Sequence, residues 1–600
     1  MRQQLDGAVD PSLQETAPAR AVAYVLGTPE LLRAIFDVFK PDLSTEEDFG
    51  EDYARRGAQR AALAACARVS HHFSKHALDV LWSCIDAFIH VLFNFLPSSI
   101  KIVADQWTIT GEIIPAEWAR FRTFAARVRV LSYQPGAYAS IDPLVWTILA
   151  RKCRGEPLFP RLRLLDVPLV EREDFTPIFG FLSPSLRNVL LYFDSPTDPP
   201  PPTAGMKIIF QTLVDVAPEL SELCWQAPPD MLPLDEASFM ADISRLRHLR
   251  GLTLTQPYRD RVPPPPDQPA PTAVAAAPLQ AIAAIRTLRT LVLDVDHVDA
   301  DYTTKVVGNS TLEELRALRV IGGPAEKLVP LVHSLCLLAL ERLFLDTLQF
   351  DQHVPLAPLS SQLATLCANL PPTLQEFDWQ YPTDRPPAPA DAPPIDLLCM
   401  LRPLLRFTLL RRVVFGIPEV SSVYITDDAL SHLAAAWPNI QTLQIISAPC
   451  LSSSRSSPVS DGIYPTFAAL VTFAQCCPML SSLILPNLDF SSVGSDPALS
   501  KSIPFMRQHP LHQLHVKAAV CGNIVPWGLA VLLDRLFPQL DRVYINPNHR
   551  TAGSSNFSTE IGNILKAMRS TREHVEMRAK LSAGEAAGDR SAAGTDIARA

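Results

Sequence analysis

Apolar residues return along this chain in one short pattern, Leu-x-x-Leu-x-Leu, with other apolar residues standing in for Leu in some copies. Thirteen segments carry it. They are PRLRLLDV (160–167), PSLRNVLL (184–191), PELSELCW (218–225), LRGLTL (249–254), LRTLVL (288–293), LRALRV (315–320), LERLFL (340–345), PTLQEFDW (372–379), LRRVVF (410–415), PNIQTLQI (438–445), PMLSSLIL (478–485), LHQLHV (511–516) and PQLDRVYI (538–545). The last two apolar positions of each copy lie two residues apart, the period of a strand, so both point into one core while the first leads in. Between copies, stretches such as PIDLLCMLRPLLRF (394–407) and YPTFAALVTFAQCCP (464–478) space apolar residues at helical intervals. The predicted unit is therefore strand, turn, helix, turn. Parallel strands need a crossover, and the helix supplies it.

Stacked units of this kind make an α/β solenoid, here an irregular leucine-rich-repeat array with parallel strands on the concave face and helices on the convex face. The last strand residues are 24 to 40 positions apart, longer and less even than the roughly 20–29 of regular repeats. Proline clusters at 199–202, 263–266 and 385–394 interrupt the series and are expected as loops on its rim.

Ahead of the array, residues 28–39 (TPELLRAIFDVF) place Leu31, Leu32, Ile35, Phe36 and Phe39 on one side of a helix. Thr28 is the cap candidate, Pro29 stands in the first turn and Glu30 faces the helix dipole. Residues 61–82 offer Leu63, Ala67, Val69, Phe73, Leu78 and Leu81 to close against it, so a small all-α module of two or three helices is expected. The intervening 41–60 carries six acidic residues before Arg55, Arg56 and Arg60 and is expected as a charged loop. The domain order is then a disordered 1–21, a helical module over 22–98 with its acidic loop 41–60, the array over 99–574 and a disordered tail over 575–600.

Composition narrows the function classes. Hydrophobic residues make up 48% and charged residues 19% of the 600, enough for a continuous core. The net charge of -9, with 53 basic residues spread along the chain, lacks the cationic concentration that nucleic acid requires. No apolar run follows a basic start at the N-terminus, so a secretory signal is not expected. Val80 to Pro97 is apolar but holds Asp86, His90 and Asn94, and is expected as a buried helix rather than a membrane span. The eleven cysteines never form Cys-x-x-Cys, which argues for reduced thiols in an intracellular protein, cytoplasmic or nuclear. No Gly-rich phosphate loop, nucleophile elbow or His-Glu-x-x-His occurs, so neither an enzyme nor a cofactor is expected. His509, His512 and His515 surround a predicted strand and would not converge on a metal.

Six copies have Arg directly after the first Leu: Arg163, Arg187, Arg250, Arg289, Arg316 and Arg411. Stacking would align them in a basic row, suited to an acidic or phosphorylated target. A solvated rim with no ligand is the alternative. Residues between the two inward strand positions, among them Leu190, Val292, Phe344, Val414, Ile484 and Tyr544, would face the concave surface and bind protein, or lie under the proline-rich loops.

The module resembles an F-box in its Pro-Glu-Leu-Leu-x-x-Ile-Phe, Ala-x-Val-x-x-x-Phe and Ala-Leu-x-x-Leu-Trp elements, over about Val25 to Trp82. With 117–133 and the repeats, the chain is similar to long F-box proteins of fungi, basidiomycete-like in type. The resemblance implies docking onto the Skp-type adaptor of a cullin-RING (SCF-type) ubiquitin ligase through Pro29, Glu30, Leu31, Leu32, Ile35, Phe36 and Val69. The repeats would then hold an unknown target protein through residues such as the six arginines, Phe344 and Tyr544. The alternatives are an ordinary helical hairpin capping the array and a leucine-rich-repeat interaction scaffold without a ubiquitin-ligase role.

Overall fold

All thirteen repeat segments form strands, and the first apolar residue of every copy, from Leu162 to Leu540, is at most 1% exposed. Complete burial of a Leu-sized side chain contributes about 1.5–3 kcal/mol, so each copy anchors its own rung. The computed structural model describes residues 24–40, 49–85, 89–133, 140–169, 176–193, 203–226, 242–255, 282–295, 312–322, 328–346, 357–380, 395–417, 423–447, 464–495, 503–547 and 556–596, apart from 283, 330, 333, 334, 336, 507 and 523. The expected N-terminal disorder over 1–21 and the three proline-rich loops lie outside these residues. The chain divides into two compact units, Met1–Gln268 and Pro269–Ala600.

The first unit holds β1 (Cys84–Ile85), β2 (Ile100–Val103), β3 (Gln106–Ile109), β4 (Val130–Ser132), β5 (Ser140–Ile141), β6 (Leu164–Leu169), β7 (Asn188–Phe193), β8 (Glu222–Gln226) and β9 (Gly251–Thr255). Its main sheet runs β1-β4-β6-β7-β8-β9, parallel throughout. An antiparallel hairpin of β2 and β3 turns through Ala104 and Asp105, both at positive φ, and β5 joins it in parallel. Two rungs, β1 and β4, lie upstream of the thirteen copies. In β4 the signature is disguised as Val128-x-x-Leu131-x-Tyr133, all three buried. The ladder therefore begins inside 22–98, not at 99.

The second unit holds β10 (Thr290–Asp294), β11 (Ala317–Ile321), β12 (Arg342–Asp346), β13 (Glu376–Gln380), β14 (Ile395–Asp396), β15 (Arg412–Ile417), β16 (Val423–Tyr424), β17 (Thr442–Ser447), β18 (Ser482–Asp489), β19 (Gln513–Val520) and β20 (Arg542–Pro547). The order β10-β11-β12-β13-β15-β17-β18-β19-β20 is again parallel, with β14 and β16 pairing separately. Helices return between rungs, among them Ala357–Asn369, Asp427–Ala436, Phe467–Cys476 and Pro526–Leu536, and successive ones pack on each other. Side chains start several of them: Thr426 accepts from the Ala429 N–H (3.1 Å), Thr466 from Ala468 (3.2 Å) and Asp396 from Leu398 (3.1 Å). The expected α/β architecture of stacked parallel strands and crossover helices is thus present in each unit.

Among the described residues the N-terminal module holds the helices Pro29–Asp37, Phe49–Cys66 and His71–Leu81, with 24–27 also helical just ahead of the first. Leu32, Phe36, Leu63, Ala77 and Val80 make its core, with Phe73 edge-on to Phe36 at 5.7 Å. Residues 49–60 are helical rather than the expected charged loop, because Ala, Arg and Gln are good helix formers and Leu63 anchors the helix in the core. Residues 41–48 lie outside the described set. Likewise 575–596 is not a disordered tail but the continuation of helix Phe557–Asp596, rich in Ala, Glu, Arg and Lys. Val80–Pro97 is not one helix either. It comprises a helix end, β1 and a 3-10 segment Ile89–Phe95, since the backbone of Ser83 is taken into the ladder. No described helix is long and apolar enough to cross a membrane.

Candidate functional site

The module presents two faces of its first helix to different surroundings. Leu32 and Phe36, four residues apart, are 0% and 2% exposed in its core. Leu31 and Ile35, the neighbouring i, i+4 pair, are 40% and 39% exposed, and Val38 and Phe39 continue that apolar side. Pro29 and Glu30 are exposed in the first turn, as is Val69 just before the helix His71–Leu81. The expected adaptor set therefore splits. Leu32 and Phe36 are structural, because a helix one residue out of phase cannot turn both pairs outward. Thr28 precedes the helix, yet its hydroxyl donates back to the Tyr24 carbonyl (2.8 Å) instead of capping. Ser70 does cap, accepting from the Phe73 N–H at 3.2 Å.

Arg127 ties the module to the first rungs, with Nη1 2.5 Å from Asp79 Oδ1 and a bond to the Lys75 carbonyl. Beyond it, the position after the first apolar residue forms a row at the strand entry. Within each unit every carbonyl of this row but the last accepts two N–H groups from the next rung: Arg129 receives those of Arg163 and Leu164, and Arg163 those of Arg187 and Asn188. In the first unit the row reads Ser83, Arg129, Arg163, Arg187, Ser221, Arg250. In the second it reads Arg289, Arg316, Glu341, Gln375, Arg411, Gln441, Ser481, His512, Asp541, with three arginines in its first five positions and none after them. The aligned row expected from sequence exists in each unit, with Arg129 as a member that sequence missed because its leading residue is Val.

Several row arginines are met by carboxylates. Arg187 lies 3.7 Å from Glu219, Arg289 3.6 Å from Glu314 and Arg316 3.1 Å from Glu341. Burial raises the Glu222 carboxyl, and the nearby Arg250 charge partly opposes this. Arg411 borders an open groove of about 410 Å³ together with Gln375, Leu409, Asn439, Gln441 and Met479. Leu409 and Met479 are 49% and 52% exposed there, an apolar surface beside the row.

The residues between the inward strand positions line up across the second unit in the order Val292, Arg319, Phe344, Asp378, Val414, Gln444, Ile484, His515, Tyr544. Phe344 is half-buried and Tyr544 is 54% exposed, its ring edge-on to His515 at 4.4 Å. Burial, and then the Lys517 charge, holds His515 below the usual imidazole range. Of the two alternatives open for these positions, Val414 takes the covered one at 1% accessible, and its register partner Asp378 is 3% accessible. Arg319 pairs with Asp346 at 2.7 Å, and Arg412 reaches Asp378 at 3.6 Å. Burial outweighs that pair and a bond from Gln380, so the Asp378 carboxyl stands above its ordinary value, with Oδ1 unpartnered.

His509 and His512 do not join His515. His509 is buried, with Nε2 3.1 Å from the Cys477 carbonyl and Nδ1 accepting the Leu511 N–H, whereas His512 is exposed. Among the described residues no group of three metal-type ligands converges. Cys477 is a buried core thiol pushed up to about 12 by burial.

The architecture defines the class: parallel strand-and-helix repeats behind an N-terminal helical module. No protein-family model matches the chain, and no curated protein matches it.

Proposed function

We propose that this protein is a substrate-recruiting adaptor of the F-box and leucine-rich-repeat kind. The module would dock a Skp-type adaptor of a cullin-RING ubiquitin ligase, and the repeats would hold the protein to be modified. The observation that carries the reading is the apolar side of helix Pro29–Asp37: Leu31 and Ile35 stand in solvent although Leu32 and Phe36 already satisfy the module's core. Exposed apolar side chains on a small helical module mark a protein interface. Bringing a target and a ligase onto one chain raises the local concentration of one near the other.

The test is capture of the full chain by a purified Skp-type adaptor, comparing wild type with the double variant Leu31→Asp, Ile35→Asp. Both positions are solvent-exposed, so the variant should fold with unchanged thermal stability while adaptor affinity falls by about tenfold or more. A folded wild-type chain that binds no adaptor would overturn the ligase role.

A further inference from the structure

Arg129 and Arg163 occupy equivalent positions on successive rungs, joined by the Arg163 N–H (2.7 Å) and the Leu164 N–H (3.0 Å) donating to the Arg129 carbonyl. Neighbouring strands are roughly 4.8 Å apart, so the two side chains leave the sheet side by side. Arg161 stands two residues before Arg163, and Arg33 on helix Pro29–Asp37 is close enough for its charge to act on Arg129. Arg161 and Arg163 are exposed and Arg129 is half-buried.

The corner differs from three other arginines of the row. Arg187, Arg289 and Arg316 have glutamate partners, but among the described residues no ion pair involves Arg129, Arg161 or Arg163. The carboxylates at hand are Asp37, 4.0 Å from Arg33, and Asp79, already held by Arg127 at 2.5 Å. Burial, followed by the like charges of Arg33, Arg163 and Arg161, presses Arg129 below the usual guanidinium value, and Asp79 opposes this only in part. Clustered guanidinium forks that repel one another inside the unit are relieved by a multivalent oxyanion, which each fork can bind through two parallel bonds.

We infer that this corner binds a phosphate monoester, with Arg129 and Arg163 gripping its oxygens and Arg161 and Arg33 neutralising its second charge. A phosphoserine or phosphothreonine carries about two negative charges near neutral pH and matches the site better than one carboxylate. The inference stands apart from the ligase proposal, since it depends on nothing that docks at Leu31 or Ile35. The same chemistry could arrive on a protein segment or as a free small phosphate.

The full chain is titrated by fluorescence anisotropy against a labelled neutral peptide bearing one phosphoserine, against its unphosphorylated twin, and by calorimetry with inorganic pyrophosphate. The phosphopeptide should bind at least about tenfold tighter than its twin, and Arg129→Gln with Arg163→Gln should lose about tenfold or more. Arg161→Glu, a change at an exposed position, should weaken binding similarly without lowering thermal stability. Arg151→Gln, exposed on helix Pro143–Cys153, should bind as wild type. Phosphopeptide binding that pyrophosphate does not displace assigns the site to a protein-borne phosphate, and pyrophosphate binding without phosphopeptide binding assigns it to a free one. Failure of both probes to bind, or equal binding by wild type and both arginine variants, overturns the site.

Discussion

Asp378 carries the clearest energetic consequence of any single residue. Its side chain is 5% exposed, Oδ1 has no partner, and Arg412 is too far and too solvated to compensate fully. Its folded pKa is raised, so the folded state holds the proton more tightly than the unfolded chain and the cost of the charge is present at neutral pH. That cost fades as pH falls through the folded value. Asp378→Asn should therefore stabilise the protein by about 1–2 kcal/mol at pH 7, with the advantage closing as the pH is lowered. Thermal denaturation of both forms across this range checks it, and a gap independent of pH would refute the assignment. Nothing in PTLQEFDW marks Asp378 as buried, because alternation alone turns it to the open side of the sheet. At Leu31 and Ile35 the difficulty was similar. Sequence assigns them and their neighbours Leu32 and Phe36 to one broad apolar side, and only the packing of Leu63, Ala77 and Val80 selects which pair is inside.

Among elements, strands were the more legible, since three apolar positions at fixed spacing leave one way to be buried. Helices in the module were less so. The acidic start of 41–60 reads as a loop, yet residues 49–66 are helical once Leu63 has a core to enter. Ser70 shows how the turn after that helix is set: its β-region backbone and hydroxyl begin His71–Leu81, whose first turn lacks any acidic residue to assist. Ser70→Ala should cost the module about 0.5–2 kcal/mol. Hydrogen exchange should show that loss in amides of 71–81 and leave β18 and β19 unchanged, whereas a uniform change across the chain would contradict a local cap.

For the molecule as a whole, a ladder of repeats needs its ends covered. In the second unit, helix Phe557–Asp596 packs on Pro526–Leu536 and β20, burying Ile561 and Leu565, while Arg572 pairs with Asp534 at 2.5 Å. Ile561→Ala with Leu565→Ala should destabilise this unit by several kcal/mol, roughly 2–5 for each truncation. Chemical denaturation monitored at residues of the second unit checks it, and an unchanged midpoint would show that the helix is not a structural cap. Sequence alone determined the repeating rung, because the spacing of apolar residues sets which side chains can share a core and which backbone groups can pair. It also placed the arginine row, whose period is that of the rungs. Tertiary structure decided the rest: the two upstream rungs, the burial of Asp378 and Val414, the apolar pair left in solvent, and the corner of unmatched guanidiniums. These depend on neighbours distant in sequence, and no local pattern encodes the charge or cover that a distant segment will bring.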